Sequence, residues 1–187
     1  SMMQGLYPKA DTDTPVLLKT RRPNVLVILL ESFGATMVDC LGGEKGVSPN
    51  LDALAREGVF FSNAYASSFR TDRGMVCTFS AFPGLPTLSI MKVANISRHM
   101  PNIAASLSRQ GYTTDFLYGG DINFTNMRGY LMAGGFEQLA SQDDFSMSDR
   151  NYSKWGVHDG ITFPRLFEML QSRENQQKPW FTTFLTL

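Results

Sequence analysis

The chain has 187 residues, which is enough for one domain with a sizeable hydrophobic core. Hydrophobic residues make up 43% of the sequence and charged residues 18%, a composition that argues against intrinsic disorder. The 17 Lys and Arg residues balance the 17 Asp and Glu residues. This balance argues against a protein held to nucleic acid or to anionic lipid by bulk electrostatics. Two cysteines, Cys40 and Cys77, are too few for a disulfide framework, so a single bridge and two free thiols both stay open.

The first 22 residues are interpreted as a leader or linker, because they combine Pro8 and Pro15 with several Asp and Thr residues. The domain is expected to occupy residues 23–187. It opens with a predicted strand, Val25–Leu30, whose continuous aliphatic run is typical of a parallel-sheet strand buried on both faces. This run is the longest of its kind and is far shorter than the roughly 20 residues that span a bilayer.

Ser48, Pro49 and Gly58 predict a helix, with an N-cap, a first-turn proline and a C-terminal stop. Val59–Phe61 together with Ala64–Tyr65 predict a second strand. The alternation then continues with predicted helices over Pro101–Gln110, Asn123–Ala133 and Asp159–Arg173, and strands over Tyr112–Tyr118 and Trp180–Leu187. Strands that alternate with helices indicate an α/β fold with a mostly parallel sheet.

The last predicted strand reaches the end of the sequence at Leu187. In open α/β sheets the functional residues lie just past the carboxyl ends of the strands. We therefore expect the chain to be a fragment of a larger domain that lacks some functional residues.

Glu31 is the first candidate functional residue, because it follows the strand Val25–Leu30 directly. That position is where ligands bind in this architecture, although a solvated acid at a strand end is an equally weighted alternative. The carboxylate oxygen suits Mg²⁺, Mn²⁺ or Zn²⁺.

The second candidate is Thr71, which lies between Arg70 and Arg73. Thr71 or Asp72 can cap a helix that begins near Arg73, and a helix N-terminus flanked by arginines is a seat for a phosphate or sulfate group. A simple N-cap beside surface charges is the alternative. A threonine hydroxyl becomes nucleophilic only when a base or a metal activates it, and Glu31 is the obvious first ligand of such a metal.

The two histidines, His99 and His158, both lie near predicted helix starts and are interpreted as structural or surface residues. The sequence contains no His-x-x-His, Cys-x-x-Cys or Gly-x-Gly-x-x-Gly pattern. Neither a histidine-rich metal site nor a dinucleotide fingerprint is therefore indicated.

Two segments carry a family resemblance, PNVLVILLESFG over residues 23–34 and SPNLDALAREG over residues 48–58. The sequence resembles the sulfatase-like branch of the alkaline phosphatase superfamily, and in particular phosphoglycerol transferases of the lipoteichoic acid synthase type. The resemblance runs from Pro23 to Leu187 and includes Tyr118–Asp121, Gly135-Phe136 and Phe184–Leu187. It implies a three-layer alkaline phosphatase-like sandwich with a mostly parallel central sheet, of which the C-terminal part is missing here.

In that family the acid after the first strand is a metal ligand, which maps onto Glu31. The nucleophile of the transferases is a threonine that also contacts the metal, which maps onto Thr71. True sulfatases use a formylglycine made from Cys or Ser, and Thr71 cannot be converted in that way. The resemblance thus implies phosphoryl-group transfer with one divalent ion, expected to be Mn²⁺, with Mg²⁺ and Zn²⁺ as alternatives.

The chain departs from the family pattern in two respects. The remaining metal ligands of the family, an Asp-His pair and a further His, lie beyond the last residue here. The family's substrate contacts align with residues 124–128, where Thr125 replaces an aromatic residue and Met127 replaces an arginine. The candidate substrate-binding residues are therefore Arg70, Arg73, Asn126 and Arg128, and the head group stays open.

The resemblance implies an extracytoplasmic catalytic domain, anchored in the cell membrane by helices upstream of residue 1. It would transfer phosphoglycerol, or a related phospho-alcohol, from lipid head groups through Thr71. Its partner would be a membrane lipid or an envelope glycan substrate, and no nucleic acid is implied. A sulfatase or phosphodiesterase-type hydrolase is the alternative within the family, and a non-catalytic α/β binding module is the alternative of another class. The chain on its own is expected to bind metal weakly and to be inactive.

Overall fold

The computed structural model describes residues 16–150 and 153–187. Most of the predicted leader, residues 1–15, lies outside the described residues. Residues 16–22 form no helix or strand. Arg22 nevertheless contacts the domain, because its guanidinium lies 5.8 Å from the centre of the Tyr112 ring and donates a hydrogen bond to the carbonyl of Gln110.

The described residues form one parallel sheet of four strands, β1 (Val25–Leu29), β2 (Thr113–Tyr118), β3 (Gln138–Ala140) and β4 (Trp180–Leu185), in the order β1-β4-β2-β3. The prediction of a parallel α/β sheet is confirmed, with β3 as a short strand that the sequence did not predict. Leu29 lies opposite Leu185, which lies opposite Tyr118. The carboxyl ends of β1, β4 and β2 therefore meet at one edge of the sheet.

Helices connect the strands, as α1 (Pro49–Glu57), α2 (Thr71–Ser80), α3 (Ala94–Ser97), α4 (Ile103–Arg109), α5 (Met127–Ala133), α6 (Met147–Arg150) and α7 (Asp159–Gln171). Ser48 occupies the N-cap position of α1, but its hydroxyl donates to the Asp52 carboxylate instead of capping a backbone N–H. Asn102 does cap α4, because its side chain accepts a hydrogen bond from the Ala104 N–H.

Both faces of the central strands β2 and β4 are packed, which gives the three layers implied by the resemblance. The larger core joins one face to α2, α4 and α5, and its most buried members include Met75, Phe79, Phe116, Tyr130, Leu131 and Phe181. The smaller core lies between the other face and α7, where Leu117 and Phe184 meet Leu166. Edge-to-face aromatic contacts stabilise each core, such as Phe79 on Phe136 and Phe163 on Phe184.

The prediction that the first strand is buried on both faces is wrong for the described residues. Val25, Val27 and Leu29 pack against the larger core, whereas Leu26 and Ile28 are 38% and 42% exposed. Among the described residues, the smaller core on that face of the sheet includes side chains of β2, β3 and β4 but none of β1.

The predicted strand over Val59–Phe61 and Ala64–Tyr65 is absent from the described residues, where this segment has no regular structure. Phe61 and Tyr65 are 74% and 87% exposed. The residue types favour a strand, but a strand also needs a hydrogen-bonded neighbour. The described part of the chain provides none for this segment.

The predicted helix over residues 123–133 is interrupted. A 3₁₀ turn at Phe124–Asn126 precedes α5, and Thr125 and Asn126 adopt left-handed conformations with φ of 56° and 65°. Two consecutive non-glycine residues in that region cost backbone energy. The loop after β2 is therefore held in a strained shape by its surroundings.

Two glycines allow that loop to approach the entry to α7. The Val157 N–H donates to the Gly119 carbonyl over 2.8 Å, and Gly156 has a φ of 135° that favours glycine. A Cβ atom on Gly156 would collide with the Gly119 carbonyl, and one on Gly119 would collide with the Val157 carbonyl. The two backbones therefore pack directly against each other.

A buried ion pair ties the end of α7 to the sheet. Arg173 Nη1 donates to Asp115 Oδ2 over 2.7 Å and to Thr182 Oγ1 over 3.0 Å. Asp115 lies on β2 and is 2% exposed. Burial raises the pKa of the Asp115 carboxyl, while the bond and the charge of Arg173 act in the opposite direction.

Candidate active site

Glu31 lies two residues beyond β1, at the edge where the carboxyl ends of the strands meet. The structure thus places Glu31 just after the first strand, at the edge where the sequence predicts ligands to bind. Its side chain is partly buried, and Ser32 Oγ lies 3.4 Å from its Oε1 atom. Among the described residues no Lys, Arg or His nitrogen forms a salt bridge with this carboxylate.

Thr71 is the first residue of α2, and the structure brings it to Glu31. The Thr71 hydroxyl donates to Glu31 Oε2 over 2.6 Å, across a separation of 40 residues. The helix begins at Thr71 and not near Arg73, with Arg70 at the N-cap position, whose side chain forms no capping hydrogen bond. The expected side-chain contact at this end comes from Asp72, whose Oδ1 accepts a hydrogen bond from the Arg73 N–H over 3.0 Å. Since the Thr71 hydroxyl is not used for capping, it can point at Glu31.

The pair faces an open pocket of about 590 Å³. Glu31, Arg70 and Thr71 line it. The other lining residues include Phe33, Ser67, Ser68, Phe69 and Met75. The start of α2 places free backbone N–H groups beside Thr71, and Arg70 adds a cation at the same end of the helix. The pocket thus combines a hydroxyl, a carboxylate and a site for an anion.

Arg73 does not line this pocket. Its Nη1 atom donates to the carbonyl of Pro86 over 2.8 Å, and its guanidinium lies 5.6 Å from the centre of the Phe69 ring. Its Nε atom is buried without a hydrogen-bond partner among the described residues. Arg73 therefore connects α2 to the following loop and does not join Arg70 in the pocket.

Asn126 and Arg128 lie in the loop after β2 and at the start of α5, and neither lines the pocket. The Asn126 amide donates to the Met91 carbonyl over 2.8 Å, and Arg128 Nε donates to Asn123 Oδ1 over 2.9 Å. Both side chains thus support the local loop. The structure does not bring them to Glu31 and Thr71.

Two further residues at this edge were missed by reasoning from sequence. Tyr118 ends β2, and burial raises its pKa, as do the negative charges of Glu31, Asp121 and Asp159. Thr186 follows β4, and its hydroxyl accepts a hydrogen bond from the Glu31 N–H. Their positions at the ends of predicted strands could have identified them, since both residues lie at the same carboxyl edge of the sheet as Glu31.

The donor set fits a divalent cation in part. Glu31 Oε2 and Thr71 Oγ1 are oxygen donors close enough to bind one ion together. Within residues 16–150 and 153–187, no group of three or more His, Cys, Asp and Glu side chains could hold a metal. The described residues therefore offer two of the three or four protein ligands that tight sites use.

The remaining candidates have structural roles or lie at the surface. His158 is the N-cap of α7, and its Nδ1 accepts a hydrogen bond from the Gly160 N–H over 3.0 Å. The side chain of His99 accepts a hydrogen bond at Nε2 from Nε of the neighbouring Arg98 over 3.2 Å. Both cysteines are free, with Cys40 exposed and Cys77 partly buried at the pocket wall. Among the described helices, none combines the length and apolar character needed to cross a bilayer.

The chain is similar in sequence to curated proteins of two kinds. Phosphoglycerol transferase I from Xanthomonas campestris pv. campestris (strain B100) is 27% identical over 177 residues, which cover 89% of this chain and 25% of that protein. Lipoteichoic acid synthase 2 from Bacillus subtilis (strain 168) is 25% identical over 190 residues, covering 97% of this chain and 28% of that protein. The chain therefore spans about a quarter of the length of these curated relatives.

The fold also matches a solved structure. A crystal structure of a protein in the alkaline phosphatase superfamily from Vibrio parahaemolyticus superimposes with a TM-score of 0.81 and 32% identity, covering 91% of this chain and 41% of that one. The resemblance stated from sequence, and the α/β fold it implies, are confirmed. The Sulfatase family model matches residues 23–187, the whole region from the first strand onward, and the chain belongs to that family.

Proposed function

We propose that this chain carries part of the active site of a metal-dependent phosphoryl-group transferase, which uses Thr71 as its nucleophile on lipid phosphodiesters. The observation that carries the proposal is the 2.6 Å contact between Thr71 Oγ1 and Glu31 Oε2, at a helix N-terminus that opens into a pocket. The contact orients the hydroxyl, and the helix start with Arg70 attracts the anionic group that the hydroxyl would attack.

Glu31 and Thr71 would hold one divalent cation, with Mn²⁺ proposed and Mg²⁺ or Zn²⁺ as alternatives. When bound, such a cation makes the hydroxyl more acidic and offsets charge on the phosphoryl oxygens. Thr71 Oγ1 attacks the phosphorus, and the bond between phosphorus and the diacylglycerol oxygen breaks. The Thr71 hydroxyl proton, which is directed at Glu31 Oε2, would pass through this carboxylate to the departing oxygen.

The phospho-alcohol then stays as an ester on Thr71 until a second hydroxyl displaces it. The acceptor oxygen forms the new bond to phosphorus, and its proton returns to Thr71. Arg70 would pair with the charged oxygens in both steps, because its side chain is exposed at the pocket and forms no salt bridge among the described residues. Water in place of the acceptor would give slow hydrolysis.

The names of the relatives support phosphoglycerol as the transferred group. Thr125 and Met127 depart from the family's substrate contacts, so phosphoethanolamine or another phospho-alcohol is a second candidate for the head group. We further propose a membrane-anchored protein with this domain outside the cytoplasm, acting on a membrane lipid or an envelope glycan, with no nucleic acid as partner.

The test uses the natural protein that contains this chain, with Mn²⁺, Mg²⁺ or Zn²⁺. The substrates are fluorescent phosphatidylglycerol and phosphatidylethanolamine, a p-nitrophenyl phosphodiester and p-nitrophenyl sulfate. We expect cleavage of a lipid phosphodiester and a mass increase on Thr71 in intact-mass spectrometry. Thr71→Ala should lower turnover by about 1,000-fold or more, whereas Thr71→Ser should retain a measurable fraction because it keeps the hydroxyl.

Three results would contradict the proposal. Near-normal turnover in Thr71→Ala would remove Thr71 as the nucleophile. Turnover of the sulfate ester alone would favour the sulfatase alternative. Bound metal without turnover of any substrate would favour a binding module in which the same residues hold a ligand.

A further inference from the structure

Thr186 joins the end of β4 to the end of β1 through both its backbone and its side chain. Its N–H donates to the Leu29 carbonyl over 3.0 Å, and its hydroxyl lies 3.4 Å from the same carbonyl. The hydroxyl also accepts the Glu31 N–H over 2.8 Å. Thr186 is only 5% exposed, so water competes weakly for these bonds.

The bond to Glu31 lies where the sheet ladder has already ended. β1 stops at Leu29, and the Glu31 N–H donates to the Thr186 hydroxyl instead of continuing the backbone ladder between β1 and β4. The next residue, Ser32, adopts a left-handed conformation with a φ of 53°. A serine in that conformation is strained and needs fixed neighbours, and the bond to Thr186 fixes the peptide group between Leu30 and Glu31, directly before Glu31 and one residue ahead of Ser32.

The position of Thr186 is itself held from a third element. The Leu187 N–H donates to Asp159 Oδ1 over 2.9 Å, and Asp159 is the first residue of α7. The contacts therefore run from α7 through the end of β4 to Glu31, and from the Glu31 carboxylate to Thr71. Each step is a hydrogen bond of 2.6 to 2.9 Å.

We propose that Thr186 is a positioning residue, whose buried hydroxyl fixes the backbone of Glu31 so that the carboxylate reaches Thr71 and a divalent cation. Thr186 does not line the pocket and acts only through Glu31. The inference rests on the proposed function in one respect, the assignment of Glu31 as a metal ligand. The hydrogen bond from Glu31 to Thr186 stands without that assignment.

The experiment compares Thr186→Val, which removes the hydroxyl at nearly constant shape, with Thr186→Ser, which keeps it. Thr183→Val is the matched control, because Thr183 lies three residues earlier on β4, is fully buried, and has a hydroxyl without a partner among the described residues. Two readouts are measured on the 187-residue chain by NMR. One is hydrogen exchange of the Glu31 amide, and the other is paramagnetic broadening of the Glu31 and Thr71 amides during a Mn²⁺ titration to millimolar concentration.

In Thr186→Val the Glu31 amide should exchange about 10-fold faster, because it loses its only acceptor among the described residues. Half-maximal broadening should need about 10-fold more Mn²⁺, the usual effect of removing a group that orients a ligand. Thr186→Ser and Thr183→Val should stay within about 2-fold of the unmodified chain in both readouts, since a buried partnered hydroxyl is lost in neither.

Unchanged exchange at Glu31 in Thr186→Val overturns the inference, and so does an equal effect of Thr183→Val. If Thr186→Val does not fold, Thr186→Ser decides, because loss of Glu31 protection while the hydroxyl is retained contradicts the proposed bond. Absence of Mn²⁺ broadening in the unmodified chain would contradict the metal site of the proposed function instead. The exchange result would still decide the role of Thr186.

Discussion

Asp115 and Glu31 both lie on or just past a strand of the sheet, and the fold treats their carboxylates in opposite ways. Asp115 is almost fully buried and receives a charged hydrogen bond from Arg173 over 2.7 Å. Glu31 is partly buried at the pocket and receives its side-chain hydrogen bonds from the hydroxyls of Thr71 and Ser32. A carboxylate that forms an ion pair with an arginine stabilises the fold. A carboxylate that accepts hydrogen bonds only from hydroxyl groups keeps its negative charge available for a cation.

The largest expected difference between Asp115 and Glu31 is in the free energy of unfolding. Asp115→Ala should lower the free energy of unfolding by about 3–5 kcal/mol, because it leaves the buried Arg173 charge without its partner. Glu31→Ala should change it by less than about 1 kcal/mol, since no buried charge is left behind. Urea unfolding of both variants measures the difference.

The control for that prediction is Asp143→Ala, which removes an ion pair with Arg150 of 2.8 Å whose side chains are more exposed. It should cost at most about 1 kcal/mol. Equal losses in Asp115→Ala and Glu31→Ala would show that Glu31 is as structural as Asp115.

The second prediction compares the two ends of α2, each of which has one hydroxyl contact. At its last residue, Ser80 Oγ lies 2.7 Å from the hydroxyl of Tyr130, and burial raises the pKa of Tyr130 to about 12 from its ordinary value of 10.0. A raised tyrosine pKa contributes stability that is complete below pH 10 and is lost as the pH rises towards 12. The loss should amount to about 2–3 kcal/mol.

The measurement is urea unfolding of the unmodified chain and of Tyr130→Phe from pH 8 to pH 12. At pH 8 the variant should be less stable by about 1 kcal/mol, because Ser80 loses its partner. This difference should shrink or reverse by pH 12, where only the unmodified chain has a buried phenol to ionise. A constant difference across the range would contradict the raised pKa.

The smallest effect distinguishes Arg70 from Arg73. Arg70→Ala should lower kcat/KM of the natural protein for a lipid phosphodiester by about 10–30-fold, because a charged hydrogen bond to the phosphate is lost. Arg73→Ala should chiefly lower stability, by about 1–2 kcal/mol, because its guanidinium bonds the Pro86 carbonyl outside the pocket. A larger effect of Arg73→Ala on kcat/KM at unchanged stability would place Arg73 at the substrate.

The sequence was most informative where local pattern decides the structure. The aliphatic run before Glu31 predicts β1, and Pro49 and Gly58 predict the start and the end of α1; the structure contains both elements. Glu31 was found because a carboxylate after such a strand is conspicuous. Its association with Thr71 across 40 residues was suggested by the need of a threonine nucleophile for an activating metal and by the family resemblance, since no local pattern encodes a contact at that separation.

The errors arise where the outcome depends on neighbours that a linear pattern does not reveal. Val59–Phe61 has strand-forming residues, but the described chain gives it no partner strand. Arg73 is an arginine only three residues after Arg70. Its side chain nevertheless leaves the helix towards Pro86 and away from the pocket. In the sequence, nothing distinguishes Thr186 from other threonines at strand ends. Only the register of β4 against β1 places it beside Glu31.

The backbone contact between Gly119 and Gly156 limits how this edge can vary in related or engineered sequences. Any side chain at either position must push the loop after β2 away from the start of α7. That movement would carry Asp159 off the Leu187 N–H and loosen the end of β4. A library randomised at both positions and selected for folding should therefore return glycine at each, while nearby exposed positions such as Asn123 accept many residues.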